Sequence, residues 1–381
     1  MMRGPLTGIR IVEFAGLGPA PFCGMMLADH GADVIRIDQI GAGGLIQKSE
    51  RDVLNRSRRT VAINLKTEEG VALARVLCRS ADGIFEGFRP GVMERLGLGP
   101  DKLLADNPKL VYGRMTGFGQ DGPCASMAGH DINYIALSGV LHACGRADEN
   151  PTPPLNLVGD FGGGGMMLAF GMLAALLHAR TTGKGQVVDC AMTEGSAVLM
   201  AMIYSLRADN LWHDARGANL LDGGAPFYDS YRTADGGFIA VGSVEPAFYR
   251  EMLQLVGLGD DADMLEQHDP ALWPRQKAKL AAAFLTRTRD EWCALLDGAD
   301  ACATPVLSLA EAPHHKHNVA RSAFLTVDGM VQPAPSPRYS HTHTDMPRPM
   351  ESGPCATAAL LEEIGLGGPE IDRLRRENIV A

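Results

Sequence analysis

Three titratable residues stand where predicted elements begin or end. His130 lies in residues 128–134 (AGHDINY), just ahead of a predicted helix; Asp160 lies in 157–165 (LVGDFGGGG); Glu245 falls between a predicted strand, 238–244, and Pro246. Each has an ordinary structural account. A histidine satisfies nearby backbone groups, an aspartate caps a helix, and a first-turn glutamate complements the helix dipole. Together they suit a different task, reversible proton transfer at a carbon. One group takes a proton from one face while another delivers it to the opposite face, and a second carboxylate holds the imidazole in its useful tautomer. The enolate-like intermediate requires hydrogen-bond donors, which the start of the helix at Asp131 can supply. The four glycines at 162–165 cost about 1 kcal/mol each inside a helix. That cost predicts a ligand or another chain pressed against the backbone there.

Other chemistries fit less well. Gly16-Leu17-Gly18 follows a predicted strand, with Asp38 about 20 residues on, as in a dinucleotide-binding turn. Pro19 and Pro21 fall where such a turn needs N–H donors and a third glycine, so the segment reads as a tight strand-to-helix turn. His314-His315-Lys316-His317 and His341-x-His343-x-Asp345 lie in polar, proline-flanked stretches and read as solvated surface, with no metal expected. The eight cysteines form no C-x-x-C pair, the usage of reduced thiols.

Positioning these groups falls to an alternation of strands and helices. Strands are expected at 9–14, 33–37, 60–65, 81–86 and 110–116, and helices at 22–30, 68–79, 131–143 and 161–180. Strands separated by helix-length segments predict an α/β fold with a parallel sheet. A hairpin is expected over 227–241, an extended linker over 332–349 and a last helical stretch over 357–376. The 381 residues suggest two or three domains. A net charge of −10 argues against general binding to nucleic acid or an anionic membrane. With no basic-then-apolar start and no lipidation or peroxisomal ending, a cytoplasmic protein is expected.

These motifs resemble the α-methylacyl-CoA racemases, a branch of the family III CoA-transferase superfamily. The similarity runs from Gly4 to about Pro349, most strongly at 128–134, 154–164 (PLNLVGDFGGG), 183–189 (GKGQVVD), 221–228 (LDGGAPFY), 240–249 and 300–307 (DACATPVL). The resemblance implies epimerisation of 2-methylacyl-CoA thioesters, with His130 and Asp160 as opposed acid/base residues and Glu245 partnering His130. It implies an interlocked homodimer with shared active sites, Glu245 coming from the opposite chain. A Rossmann-like large domain would occupy 1–195, completed by 340–381. A smaller α+β domain at 226–325 would be joined to it through linkers at 196–225 and 326–339. No prosthetic group is implied; the CoA moiety of the substrate would contact Ile63, Asn64, Leu65, Lys66, Gly87, Phe88, Arg89, Arg95 and Gly129, His130, Asp131, Ile132, Asn133, Tyr134.

Lys66, Arg89 and Arg95, with Arg51, Arg56, Arg58 and Arg59 nearby, would supply positive charge for CoA phosphates. The alternative for the 51–59 run is a solvated loop. One departure from the family resemblance is Gln39, where family members often have an arginine that packs on adenine; losing that cation–π stack would remove roughly 0.5–2 kcal/mol. The cluster Met166, Met167, Met172, Met192, Met200 and Met202 reads as core filler or as an apolar surface for acyl chains. The main alternative activity is CoA transfer through an aspartyl anhydride at Asp160, from which the pairing of His130 with Glu245 distinguishes the racemase reading.

Overall fold

The short apolar runs of the first third become parallel strands, and the amphipathic segments between them become helices. The computed structural model describes residues 3–40 and 51–381. In chain order the first elements are β1 (Arg10–Phe14), α1 (Pro19–Asp29), β2 (Asp33–Gln39), β3 (Arg59–Ile63), α2 (Glu68–Arg79), β4 (Gly83–Glu86), α3 (Val92–Arg95), α4 (Pro100–Asp106), β5 (Val111–Thr116) and α5 (Asp131–Leu137). Next come α6 (Val140–Ala143), a π-helical segment (Leu157–Met166), α7 (Met167–Thr182), β6 (Gln186–Ala191), α8 (Met192–Leu199) and α9 (Ala201–Ala208). The remainder holds β7 (Tyr228–Arg232), β8 (Phe238–Gly242), α10 (Pro246–Leu255), α11 (Ala262–Leu265), α12 (Trp273–Phe284), α13 (Arg289–Leu296) and β9 (Ala303–Pro305). It closes with α14 (Lys316–Ala320), β10 (Phe324–Val327), β11 (Met330–Pro333), α15 (Pro354–Glu363) and α16 (Gly368–Arg376).

The chain divides into two units. The first comprises Met1–Ser138, Leu155–Leu199 and Ala320–Ala381 and carries the parallel sheet, in the order β3-β2-β1-β4-β5-β6. The order reverses between β1 and β4, so a crevice opens at the carboxyl ends of these strands. Alternation along β1 splits the core. Ile11 faces Leu27, Leu168 and Met172 of α1 and α7, while Val12 and Phe14 face Leu73 and Leu77 of α2 and the C-terminal Leu360 and Leu374. Helices therefore cover both faces, as a buried parallel sheet requires. The second unit comprises Gly139–Pro154 and Met200–Val319, with an antiparallel sheet β7-β8-β9. Its core gathers Phe227, Tyr231, Ile239, Tyr249, Phe284 and Trp292.

Several local expectations change. The helix expected over 131–143 breaks at Gly139, whose φ of 87° no helix continues. The expected linker at 326–339 begins inside a hairpin, β10–β11, because Asp328 and Gly329 both take positive φ and match the twist of paired strands. The glycines at 162–165 pack against this chain itself rather than a ligand. A Cβ on Gly163 would lie 2.5 Å from the Ser196 nitrogen of α8, and one on Gly165 2.7 Å from the Pro19 carbonyl of α1.

Within the 51–59 run Arg51 is exposed, whereas Arg56, Arg58 and Arg59 pair with carboxylates of this chain. Arg58 is fully buried and pairs with Glu13, itself fully buried in β1, at 3.1 Å. Arg36 reaches the other Glu13 oxygen, also at 3.1 Å. Arg56 makes a two-pronged bond to buried Asp29 and donates to Gln332 and the Pro333 carbonyl. Arg59 pairs with Asp33 and Glu363. The physical reason is the carboxylate inside β1: once Glu13 is buried, neighbouring cations must be buried with it.

Candidate active site

Within the first unit a cleft of about 880 Å³ opens at the carboxyl ends of β1, β4 and β5. Its walls are the turn after β1 (15–19), the loop after β4 (87–90), the end of β5 with its continuation (115–118), and the start of α5. Asn156, Asp160, Phe161 and Met192 also line it. His130 and Asp160, 30 residues apart in the chain, both line this space.

Asp160 is not the helix cap its sequence suggested. It sits inside the π-helical segment, a distortion that is rare in helices and recurs at functional sites. Its Oδ2 accepts a hydrogen bond from Asn156 Nδ2 at 3.0 Å. Its backbone N–H donates to Asp131 Oδ1 at 2.7 Å. Burial pushes the Asp160 carboxyl above its ordinary value; Asn156 opposes this, the Asp131 charge reinforces it, and His130 opposes it more weakly. The group is thereby moved towards the range in which a carboxylic acid can both give and take a proton. Asn156 was not singled out in the sequence. Its signal was available, since it precedes Asp160 by one helical turn.

His130 is exposed at the cap position of α5. Its backbone N–H donates to Asn133 Oδ1 at 3.0 Å, and the Asn133 N–H returns to the His130 carbonyl at 2.8 Å. This reciprocal capping fixes the backbone of His130 at the wall of the cleft. Tyr134, one turn on, donates from its hydroxyl to the Gly129 carbonyl and meets Phe118 edge to face at 5.0 Å. Glu245 belongs to the second unit, exposed at the start of α10. The strand end before it is anchored where Gln267 Nε2 donates to the Ser243 and Val244 carbonyls.

The expected CoA-contacting residues divide. Gly87, Phe88, Arg89, Gly129, His130, Asn133 and Tyr134 line the cleft, and Arg89 is the only lysine or arginine among its described lining residues. Asp131 is buried and turned towards the Asp160 backbone, while Ile132 is exposed. Ile63 and Leu65 place their side chains in the core. Asn64 bonds to the Ile379 and Asn378 carbonyls, and Lys66 is exposed. Gln39 pairs with Ile63 at the ends of β2 and β3. Arg95 is exposed in α3, near Gly91. The methionines also divide: Met192 lines the cleft, joined by Met115 and Met127, whereas Met172 is core. Met166 and Met202 are exposed, and Met200 lines a cavity of the second unit.

The model of CoA-transferase family III matches residues 6–354. The chain belongs to that family. It is 47% identical to mouse (Mus musculus) alpha-methylacyl-CoA racemase over 378 residues, covering 98% of this chain and 97% of that protein. Identity to human (Homo sapiens) alpha-methylacyl-CoA racemase is 46% over the same length, with the same coverage. Among solved structures, a CAIB/BAIF family protein from Brucella suis superposes with a TM-score of 0.81 at 25% identity, covering 95% of this chain and all of that one. The two chains therefore share one fold. At Gly18, φ is 64° and an added Cβ would lie 3.1 Å from Asp160 Oδ2. The turn after β1 thus brings bare backbone up to the carboxyl group.

Proposed function

We propose that this chain is an isomerase that epimerises 2-methylacyl-CoA thioesters at the α-carbon by 1,1-proton transfer. The observation that carries the reading is the shared cleft: an imidazole and a carboxyl group raised by burial line one space at the sheet's switch point. The substrate class rests on identity of 46–47% to racemases over nearly the whole chain. In one direction His130 takes the α-proton. The C–H electron pair moves into the thioester to give an enolate, and protonated Asp160 delivers a proton to the opposite face. In the other direction the Asp160 carboxylate is the base and the imidazolium the donor. No prosthetic group enters the scheme, because the thioester itself accepts the electron pair. The CoA moiety lies along the loops after β4 and before α5, with Arg89 nearest its phosphates.

A homodimer with shared sites belongs to the same proposal. The stretch Leu157–Thr182 is long and apolar enough to cross a membrane by length and composition, with mean hydropathy 1.5, yet α7 packs on β5 and β6. Its outer face exposes Met166, Phe170, Leu173 and Leu177 at helical spacing. A second copy covering that stripe accounts for it and would bring its own Glu245 to orient His130.

Incubation of each epimer of a 2-methylacyl-CoA in deuterated water tests the reading. α-Deuterium incorporation with formation of the other epimer, and no added acid, is expected. CoA transfer to an added carboxylate without exchange would establish the aspartyl-anhydride route instead. His130→Ala and Asp160→Ala should each abolish epimerisation.

A further inference from the structure

We infer that Asp131 is a positioning residue that couples the two proton-transfer groups, holding Asp160 in place across the cleft from His130. The inference rests on the racemase reading and adds a residue to it. Asp131 directly follows His130, but the two neighbours have opposite fates: His130 is exposed at the cleft, while Asp131 is 6% exposed. Its Oδ1 accepts the Asp160 N–H at 2.7 Å, linking the first turn of α5 to the π-helical segment. The approach is tight enough to constrain the residue beside Asp160. A Cβ on Gly159 would lie 2.4 Å from Asp131 Oδ1, so only glycine admits the contact. The second carboxylate oxygen, Oδ2, is buried without a hydrogen-bond partner among the described residues. A carboxylate kept in that state spends charge near Asp160 rather than on a partner of its own.

The arrangement acts on Asp160 in two ways. The hydrogen bond fixes where its backbone sits relative to His130, and the Asp131 charge opposes ionisation of its carboxyl group. The other polar groups around Asp160 are consistent with this division. Asn156 bonds the carboxyl group, His130 acts on it weakly through charge in the lowering direction, and Tyr134 on α5 lies close enough to feel its charge. From β6 the Cys190 thiol reaches the Gly164 carbonyl instead, and the charges of Asp189 and of Glu194 on α8 act on that thiol. The turn after β1 brings Gly18 against the carboxyl group.

The test separates charge from position. Asp131→Asn keeps an acceptor oxygen and removes the charge, whereas Asp131→Ala removes both. For Asp131→Asn, the limb of the pH–rate profile set by Asp160 should move to lower pH while exchange persists. For Asp131→Ala, epimerisation should fall at least tenfold, with the proton that Asp160 handles affected more than the one His130 handles when the two epimers are exchanged separately. Circular dichroism establishes folding, and should Asp131→Ala not fold, Asp131→Asn alone decides. An Asp131→Asn limb that stays in place in a folded enzyme overturns the inference, as does equal slowing of both epimers in a folded Asp131→Ala. If His130→Ala or Asp160→Ala retains full epimerisation, the racemase reading itself fails, a different result from either of these.

Discussion

Gly18 lies directly against the carboxyl group of Asp160, its backbone in a conformation that L side chains rarely adopt. The glycine-rich turn after β1 thus forms a wall of the candidate site beside Asp160. Its neighbours Pro19 and Pro21 start α1 at once, which a phosphate-binding turn would not tolerate but a stiff wall does.

Gly18→Ala should therefore damage catalysis more than folding. The strained backbone costs about 1–3 kcal/mol, and the added methyl displaces the Asp160 carboxyl group. A loss of 10- to 100-fold in kcat is expected, on the order that small misplacements of reacting groups produce. Affinity for free CoA, measured by calorimetry, should change little. An enzyme with normal kcat would show that the contact does not constrain Asp160.

Asn156 opposes the upward shift of the Asp160 carboxyl group. Removing its hydrogen bond in Asn156→Ala leaves burial less opposed, so the carboxyl ionises at higher pH. The limb of the pH–rate profile that belongs to Asp160 should move up, opposite to the shift expected for Asp131→Asn. Profiles measured on the two variants with one substrate epimer provide the comparison.

The arginine run predicts stability effects, not CoA effects. Arg58→Met removes one of the two cations on buried Glu13, and breaking a buried pair from one side costs roughly 3–5 kcal/mol. Thermal unfolding should occur at markedly lower temperature, while CoA affinity of the folded fraction stays unchanged. A selective loss of CoA binding with unaltered Tm would restore a phosphate-binding role.

Phe170 is 72% exposed on α7, so Phe170→Asp should leave the fold of one chain intact. If the apolar stripe is covered by a second copy, the variant should run as a monomer in light scattering and lose epimerisation with the shared site. A dimer of undiminished mass would show that the stripe does not form the interface.

Much of the architecture was legible because it is written in local period. The alternation of Ile11 and Val12, the amphipathic face of α2 and the small residues of the 128–134 segment each announce an element within a few residues of themselves. The hairpin of β7 and β8 was equally clear from its turn. The types of the candidate site residues were also visible, because His130 and Asp160 stand at breaks in those patterns.

What the sequence by itself determined, then, is the layered α/β order and the chemical character of its candidate residues. Only the tertiary structure decided what each charged or special residue does, because that depends on partners distant in the chain. Arg58 looks like a surface cation until Glu13, 45 residues away, is found buried beside it. The glycines at 162–165 look like a ligand platform until α1 and α8 close on them. Asp131 looks like a contact residue until the backbone of Asp160, 29 residues on, claims its oxygen. Hydrophobic period is a property of neighbours, whereas charge neutralisation and close backbone approach are settled only where the folded chain brings strangers together.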